Sequence, residues 1–144
     1  MEANAVGQLV AGCWLRLCYD YPFMSLDTWV LMPNHLHGII WLSSDNPSQK
    51  PLSQIVAAFK ARSTSRLRKA FGPNIKLWQR GFFEHIIRND DDLFRIREYI
   101  DGNPTRWALD PENPASRTDA IHNLQSPSLA TGAHAMRPYE ALRD

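Results

Sequence analysis

No run of about 18 apolar residues occurs anywhere in this 144-residue sequence, so no segment reads as a membrane-spanning helix. The first ten residues, MEANAVGQLV, have no basic region and no small-residue cleavage site behind an apolar core, and no signal peptide is read. Cysteine is scarce. Cys13 and Cys18 lie five apart with no His or Cys nearby, which fits neither a redox CxxC nor a zinc knuckle and excludes a disulfide framework. They read as reduced thiols on a helix of a cytoplasmic protein. Acidic residues are nearly missing from one stretch. Between Lys50 and Arg88, Glu84 is the single acid against Lys50, Lys60, Arg62, Arg66, Arg68, Lys69, Lys76, Arg80 and Arg88. That block carries about +8 and the remainder about −7, although the whole chain is only +1. Such asymmetry points to an anionic partner, most commonly nucleic acid, or to a solvated helix face.

What is present is ordinary for a soluble globular protein: 44% hydrophobic and 22% charged residues. The length suits one domain with a little extra. Residues 6–19 carry apolar side chains at helical spacing (Val6, Leu9, Val10, Cys13, Leu17), and Pro22 lies just beyond. Residues 26–32, LDTWVLM, and 35–42, HLHGIIWL, read as a β-hairpin around Pro33-Asn34. Alternation puts Leu26, Thr28, Val30 and Met32 on one face of the first strand. On the second it puts His35, His37, Ile39 and Trp41 on one face and Leu36, Gly38, Ile40 and Leu42 on the other. Both faces of the second strand are largely apolar, which predicts a central strand covered on both sides.

A basic amphipathic helix is predicted over 52–71, with Leu52, Ile55, Val56, Phe59, Ser63, Leu67 and Phe71 as its inner stripe. FFEHIIR, 82–88, reads as a third strand. A helix capped by Asn89 or Asp90 then runs to Asn103, where Pro104 ends or kinks it. Residues 1–109 form the domain. Residues 110–144, with four prolines and no periodicity, read as a mostly disordered tail. The order α-β-β-α-β-α is an α+β arrangement, one initial strand short of the ferredoxin-like βαββαβ pattern.

Two signals carry chemistry. His35 and His37 are i and i+2 on a strand, so their imidazoles share a face and could form two arms of a metal site or a pair of hydrogen-bonded core histidines. Tyr99 and Asn103 are four apart on one helical face, and Tyr99 reads either as a nucleophile or as a core aromatic. A tyrosine hydroxyl, with a reference pKa of about 10, needs help to attack a phosphodiester. The combination of a His pair, a late tyrosine and a basic helix between them suits DNA strand cleavage.

The segments MPNHLHGIIWL, FKARSTSRLRKAF, LWQRGFFEHIIRND and RIREYIDGNPTRWALDPENP resemble, in this order, the HUH single-tyrosine transposases, and within them the REP-associated tyrosine transposases of bacteria. The resemblance spans residues 6–114. It implies a ferredoxin-like sheet of βαββαβα type. It implies that His35 and His37 bind a divalent cation, Mg²⁺ or Mn²⁺, with Asn103 as third ligand, and that Tyr99 is the nucleophile. The substrate implied is single-stranded DNA beside a hairpin, joined to Tyr99 through a 5′-phosphotyrosine. Lys60, Arg62, Arg66, Arg68, Lys69 and Arg80 would contact phosphates, and Trp78, Phe82 and Phe83 could stack on bases.

The sequence departs from the family at its start, because the family's first strand has no counterpart before the first helix. A misplaced start, a decayed copy, and an edge filled by another segment or by a second protomer in a homodimer each account for this. Two further readings of function stay open: a hairpin-binding protein that no longer cuts, and an unrelated metal-dependent hydrolase built on the His pair.

Overall fold

The computed structural model describes residues 4–44, 50–107, 109 and 113. The first helix, α1 (Ala5–Leu15), is capped by Asn4, whose side chain accepts a hydrogen bond from the Gly7 amide at 2.9 Å. The single helix expected over 6–19 is two. A tight turn at Arg16, whose carbonyl accepts from both Tyr19 and Asp20, separates α1 from the one-turn α2 (Leu17–Asp20).

Strands β1 (Met24–Leu31) and β2 (Leu36–Leu42) form the antiparallel hairpin predicted around Pro33-Asn34. The register shifts between Leu26 and Trp29, so Asp27 and Thr28 form a bulge. This changes the expected facing. Leu26, Trp29 and Leu31 pack toward α1, while Val30 packs toward the opposite layer. Leu26 and Val30 therefore lie on opposite faces, because the bulge inserts a residue into the alternation. On β2 the alternation holds. Leu36 and Ile40 face one core and Ile39 the other. Gly38 lies so close to Trp14 that a Cβ there would meet the indole at 2.6 Å.

The long helix α3 (Leu52–Phe71) shares the first core with α1, α2 and the hairpin, through Val10, Trp14, Leu17, Leu36, Phe59 and Leu67. Its stripe reads as expected except at Phe71, which is half exposed. Ser63 is fully buried. Its hydroxyl donates to the Phe59 carbonyl at 2.8 Å and accepts from the Trp78 indole at 2.8 Å, which fastens the segment after α3 to the helix. Gly72, at φ 112°, ends α3 in a conformation that other residues rarely adopt.

The last helix, α4 (Asp90–Trp107), covers the other face of the hairpin. Asn89 caps it, accepting from the Asp92 amide at 2.8 Å. Leu93, Ile96 and Ile100 meet Ile39, Val30 and Ile87. Each such aliphatic side chain, when fully buried, contributes about 1.5–3 kcal/mol. The helix continues past Asn103 to Trp107, with Pro104 inside it. Proline there deletes only the bond to the Ile100 carbonyl, and burial of Trp107 holds the final turn in place.

Two strand predictions need correction. The hairpin is covered on both faces, but β2 is not central: among the described residues the sheet has two strands, β1 and β2. Residues 82–88 form no strand. A strand is defined by its ladder, and the FFEHIIR segment has no neighbour to pair with among the described residues. Together with the absence of a described strand before α1, this leaves an α+β, ferredoxin-like arrangement one strand short. The proposed tail, 110–144, lies outside the described residues apart from Asn113.

One polar knot fixes α4 on the hairpin. The Asp27 carboxylate, at the bulge, accepts from Arg97 Nε at 3.0 Å and Nη2 at 2.6 Å, and from the Trp41 indole at 2.7 Å. The Thr28 amide adds a further bond at 2.6 Å. Arg97 foremost, opposed by burial and aided by Trp41 and Thr28, holds the Asp27 carboxyl well below the usual carboxylate range. A depressed folded-state pKa contributes stability above the unfolded value, near 4, and loses it as pH falls through the folded one. Asp27→Asn should therefore lower the thermal midpoint at pH 7 by roughly 5 °C. The gap to wild type should narrow as the pH drops below about 4. Calorimetry across that range checks this, and a gap constant with pH would remove the ionic contribution.

Candidate functional site

The site is built where β2 begins and α4 crosses it. His35 stands just before β2 and His37 is its second residue, so both project toward α4 with ring centroids 4.7 Å apart. Tyr99 projects from α4 onto the same spot, its ring 5.3 Å from that of His37 and edge-on to it. Thus three of the four residues singled out in the sequence come together, from two elements 62 positions apart. Asn103 lies one helical turn beyond Tyr99. It is buried, and its amide nitrogen donates to the Tyr99 carbonyl at 2.8 Å. That bond leaves the amide oxygen as the group with which Asn103 would meet a cation.

The histidines are prepared as ligands. His35 Nδ1 lies 2.5 Å from the Asn34 side-chain oxygen. An amide oxygen only accepts, so the proton sits on Nδ1 and the lone pair on Nε2. Such an outer hydrogen bond commonly orients a metal-binding imidazole. His37 Nε2 is buried and has no hydrogen-bond partner. A buried polar atom left unpaired is costly unless something else binds it. Burial, and then the neighbouring charge of His35, lower the His37 pKa to about 4, so its imidazole is neutral at pH 7 and its nitrogen stays available to a metal. Two imidazoles and an amide oxygen fit a hard divalent cation supplemented by substrate oxygens and water. Among the described residues no cluster of three His, Cys, Asp or Glu offers an alternative centre.

Sequence reasoning missed Arg106. Its guanidinium folds back along α4, past Gly102, and lies 5.3 Å from the Tyr99 ring centroid. Among the described residues no carboxylate pairs with it. The i, i+7 spacing from Tyr99 was available as a signal, but Pro104 argued that the helix stopped short of it. Asp27 and Arg97 were missed as well, because their pairing depends on the bulge.

The basic residues divide into two groups. Lys60 donates to the carbonyls of Gln79, at 3.1 Å, and Gly81. Arg68 donates to the Ile75 carbonyl at 3.2 Å, and Arg62 pairs with Asp20. These three tie the segment after α3, and α2, to α3. Arg66, Lys69 and Arg80 are exposed, with no ion pair among the described residues. Trp78 is held by Ser63 and stacks near Phe59, with centroids 5.3 Å apart, as a core aromatic does. Phe83 is 42% exposed. Phe82 and Phe83 border a cleft between β2 and residues 82–87 that opens beside His37 and Tyr99.

The model of the IS200-like transposase family matches residues 10–103, a span that contains His35, His37, Tyr99 and Asn103. Two Haemophilus influenzae proteins are similar. One, an uncharacterized protein, is 38% identical over 128 residues, covering 76% of this chain and 71% of its own length. The other, provisionally named a REP-associated tyrosine transposase, is 33% identical over 102 residues, covering 63% of this chain and 54% of its own length. The chain thus spans about half of that second relative. No solved structure matches the chain. No described helix is long and apolar enough to cross a membrane.

The orphaned imidazole nitrogen generates a test without DNA. Titration calorimetry with Mn²⁺ should show one site, and His37→Gln should weaken it at least tenfold. Equal Mn²⁺ affinity in the variant would dismiss the His pair as ligands.

Proposed function

This chain belongs to the IS200-like transposase family and has a transposase-like role, and we propose that its chemistry is metal-assisted nicking and rejoining of single-stranded DNA by Tyr99. The observation that carries this reading is the edge contact of Tyr99 with His37, whose Nε2 is buried and unpartnered. A core tyrosine needs no such neighbour, and a hydrogen-bonded core histidine would not leave that nitrogen bare.

A divalent cation held by His35, His37 and Asn103 would draw charge from the scissile phosphate and from the departing oxygen. The chain's own groups supply the rest. The Tyr99 hydroxyl loses its proton and its oxygen attacks the phosphorus. A bond forms from tyrosine to phosphate, and the bond to the 3′ oxygen breaks. That oxygen takes up a proton and leaves as a 3′ hydroxyl. The product is a 5′-phosphotyrosine, a phosphodiester like the one consumed, so a 3′ hydroxyl can reverse the step without a nucleotide cofactor. Arg106, over the tyrosine ring, would hold a phosphate oxygen and orient it for attack. Arg66, Lys69 and Arg80 would meet the backbone of a DNA hairpin further along, with salt-dependent affinity. The relative's REP-associated name agrees with palindromic element ends as the substrate and with DNA transposition as the setting.

A second reading is a hairpin-binding protein that does not cut. The open sheet favours it, since β2 lacks a neighbour on the edge beside the site. One variant separates the two. Tyr99→Phe keeps the ring and removes the oxygen. It should fold with stability within about 1.5 kcal/mol of wild type and retain hairpin binding. With Mn²⁺ and single-stranded hairpin DNA, the wild type should give a covalent protein–DNA band on a denaturing gel and the variant none. A band of equal strength from the variant would remove Tyr99 as nucleophile, and a wild type that binds without any band would favour the second reading.

A further inference from the structure

A cleft of about 400 Å³ separates β2 from residues 82–87. Every residue of β2 from His37 to Leu42 borders it, and so does every residue from Phe82 to Ile87. In a strand, neighbouring side chains point to opposite faces. A cleft touched by all of them is therefore bounded by the strand's backbone edge, not by one of its faces. β1 occupies the other edge of β2. The edge on the cleft thus presents amide and carbonyl groups with no ladder among the described residues, and the segment opposite has no ladder either.

The remaining lining is apolar. Trp14, Leu52 and Val56 close one side, and Ile96 and Ile100 the other. Around the rim Trp41, Leu42, Phe83 and Ile86 are 47%, 41%, 42% and 73% exposed, an unusual concentration of large apolar side chains. Trp14 adds an independent sign. It is 1% exposed, and its indole N–H is buried with no acceptor. A small apolar ligand could fill the volume but would leave this donor and both backbone edges unpaired.

We infer that the cleft is a receptor for one β-strand, an extended peptide of five to seven residues with alternating apolar side chains, which pairs with β2 on one side and with 82–87 on the other. Main-chain bonds on both edges supply affinity, and the two apolar layers select the alternation. Its carbonyls bring an acceptor within reach of the Trp14 indole. Six residues of strand span about 20 Å, the length of the bordering run of β2. A second copy cannot place its own β2 there, because that edge faces its own 82–87 segment. The 110–144 stretch lacks an alternating apolar run and carries four prolines. The occupant is thus a β-strand of another composition, supplied to the cleft.

The test is structural and needs no DNA, so its failure is separate from that of the cleavage reading. A strand of alternating valine and threonine with terminal lysines is joined to the N-terminus of the full chain through a Gly/Ser linker. The linker raises its effective concentration to the millimolar range. Amide hydrogen exchange is compared with a matched fusion whose central valine is proline, which cannot complete the ladder. The expected result is exchange at least tenfold slower across 37–42 and 82–87 in the valine fusion only. Unchanged exchange at both segments would overturn the proposal, and so would equal slowing by the proline fusion.

Discussion

The arrangement hangs on one carboxylate. Asp27 sits at the bulge of β1 and binds the Arg97 guanidinium through both oxygens while accepting from Trp41 on β2. A carboxylate held by a two-pronged guanidinium has a fixed orientation as well as a fixed distance. The helix carrying Arg97 is therefore set in rotation about its own axis. Tyr99 follows two residues later and lands on His37. The apolar contacts of Ile39 with Leu93, Ile96 and Ile100 supply much of the attraction between these layers, but aliphatic packing tolerates sliding. The polar knot selects the register in which the phenol meets the imidazoles.

The same view explains which parts of the structure were legible in the sequence. The period-two rule placed His35 and His37 together, and the period-four rule placed Tyr99 with Asn103, because each rests on local geometry alone. The α3 stripe was legible for the same reason. What failed needed partners. The bulge at Asp27–Thr28 answers to a guanidinium 70 positions away and reversed the facing of Val30. FFEHIIR has a strand's composition, yet composition cannot supply a ladder. Asn103-Pro104 reads as a stop, but Trp107 is buried beyond it. The basic block was read as one DNA-facing surface, whereas Lys60, Arg62 and Arg68 bind carbonyls and a carboxylate of the protein itself.

The division of the basic residues bears on how such a protein would hold DNA. Those that brace α2 and the segment after α3 to α3 are not spare charge. Replacing them would disturb the scaffold before it altered an interface. The exposed set, Arg66, Lys69 and Arg80, is free of that duty, and Arg106 lies apart from it, over the tyrosine. Phosphate contacts set position, while the chemistry depends on a few groups at one point. The family match covers that point completely, ending at Asn103.

The central claim is that Tyr99, seated on the His pair, is the residue that becomes joined to DNA. Peptide mapping tests it most directly. The chain is incubated with Mn²⁺ and a single-stranded hairpin DNA, digested with nuclease and trypsin, and examined by mass spectrometry. Cleavage after Arg97 and Arg106 releases the peptide EYIDGNPTR, with one tyrosine. The account predicts a nucleotide phosphate on that peptide, at Tyr99. An adduct on Tyr19, Tyr21 or Tyr139 instead, with 98–106 unmodified, would contradict it.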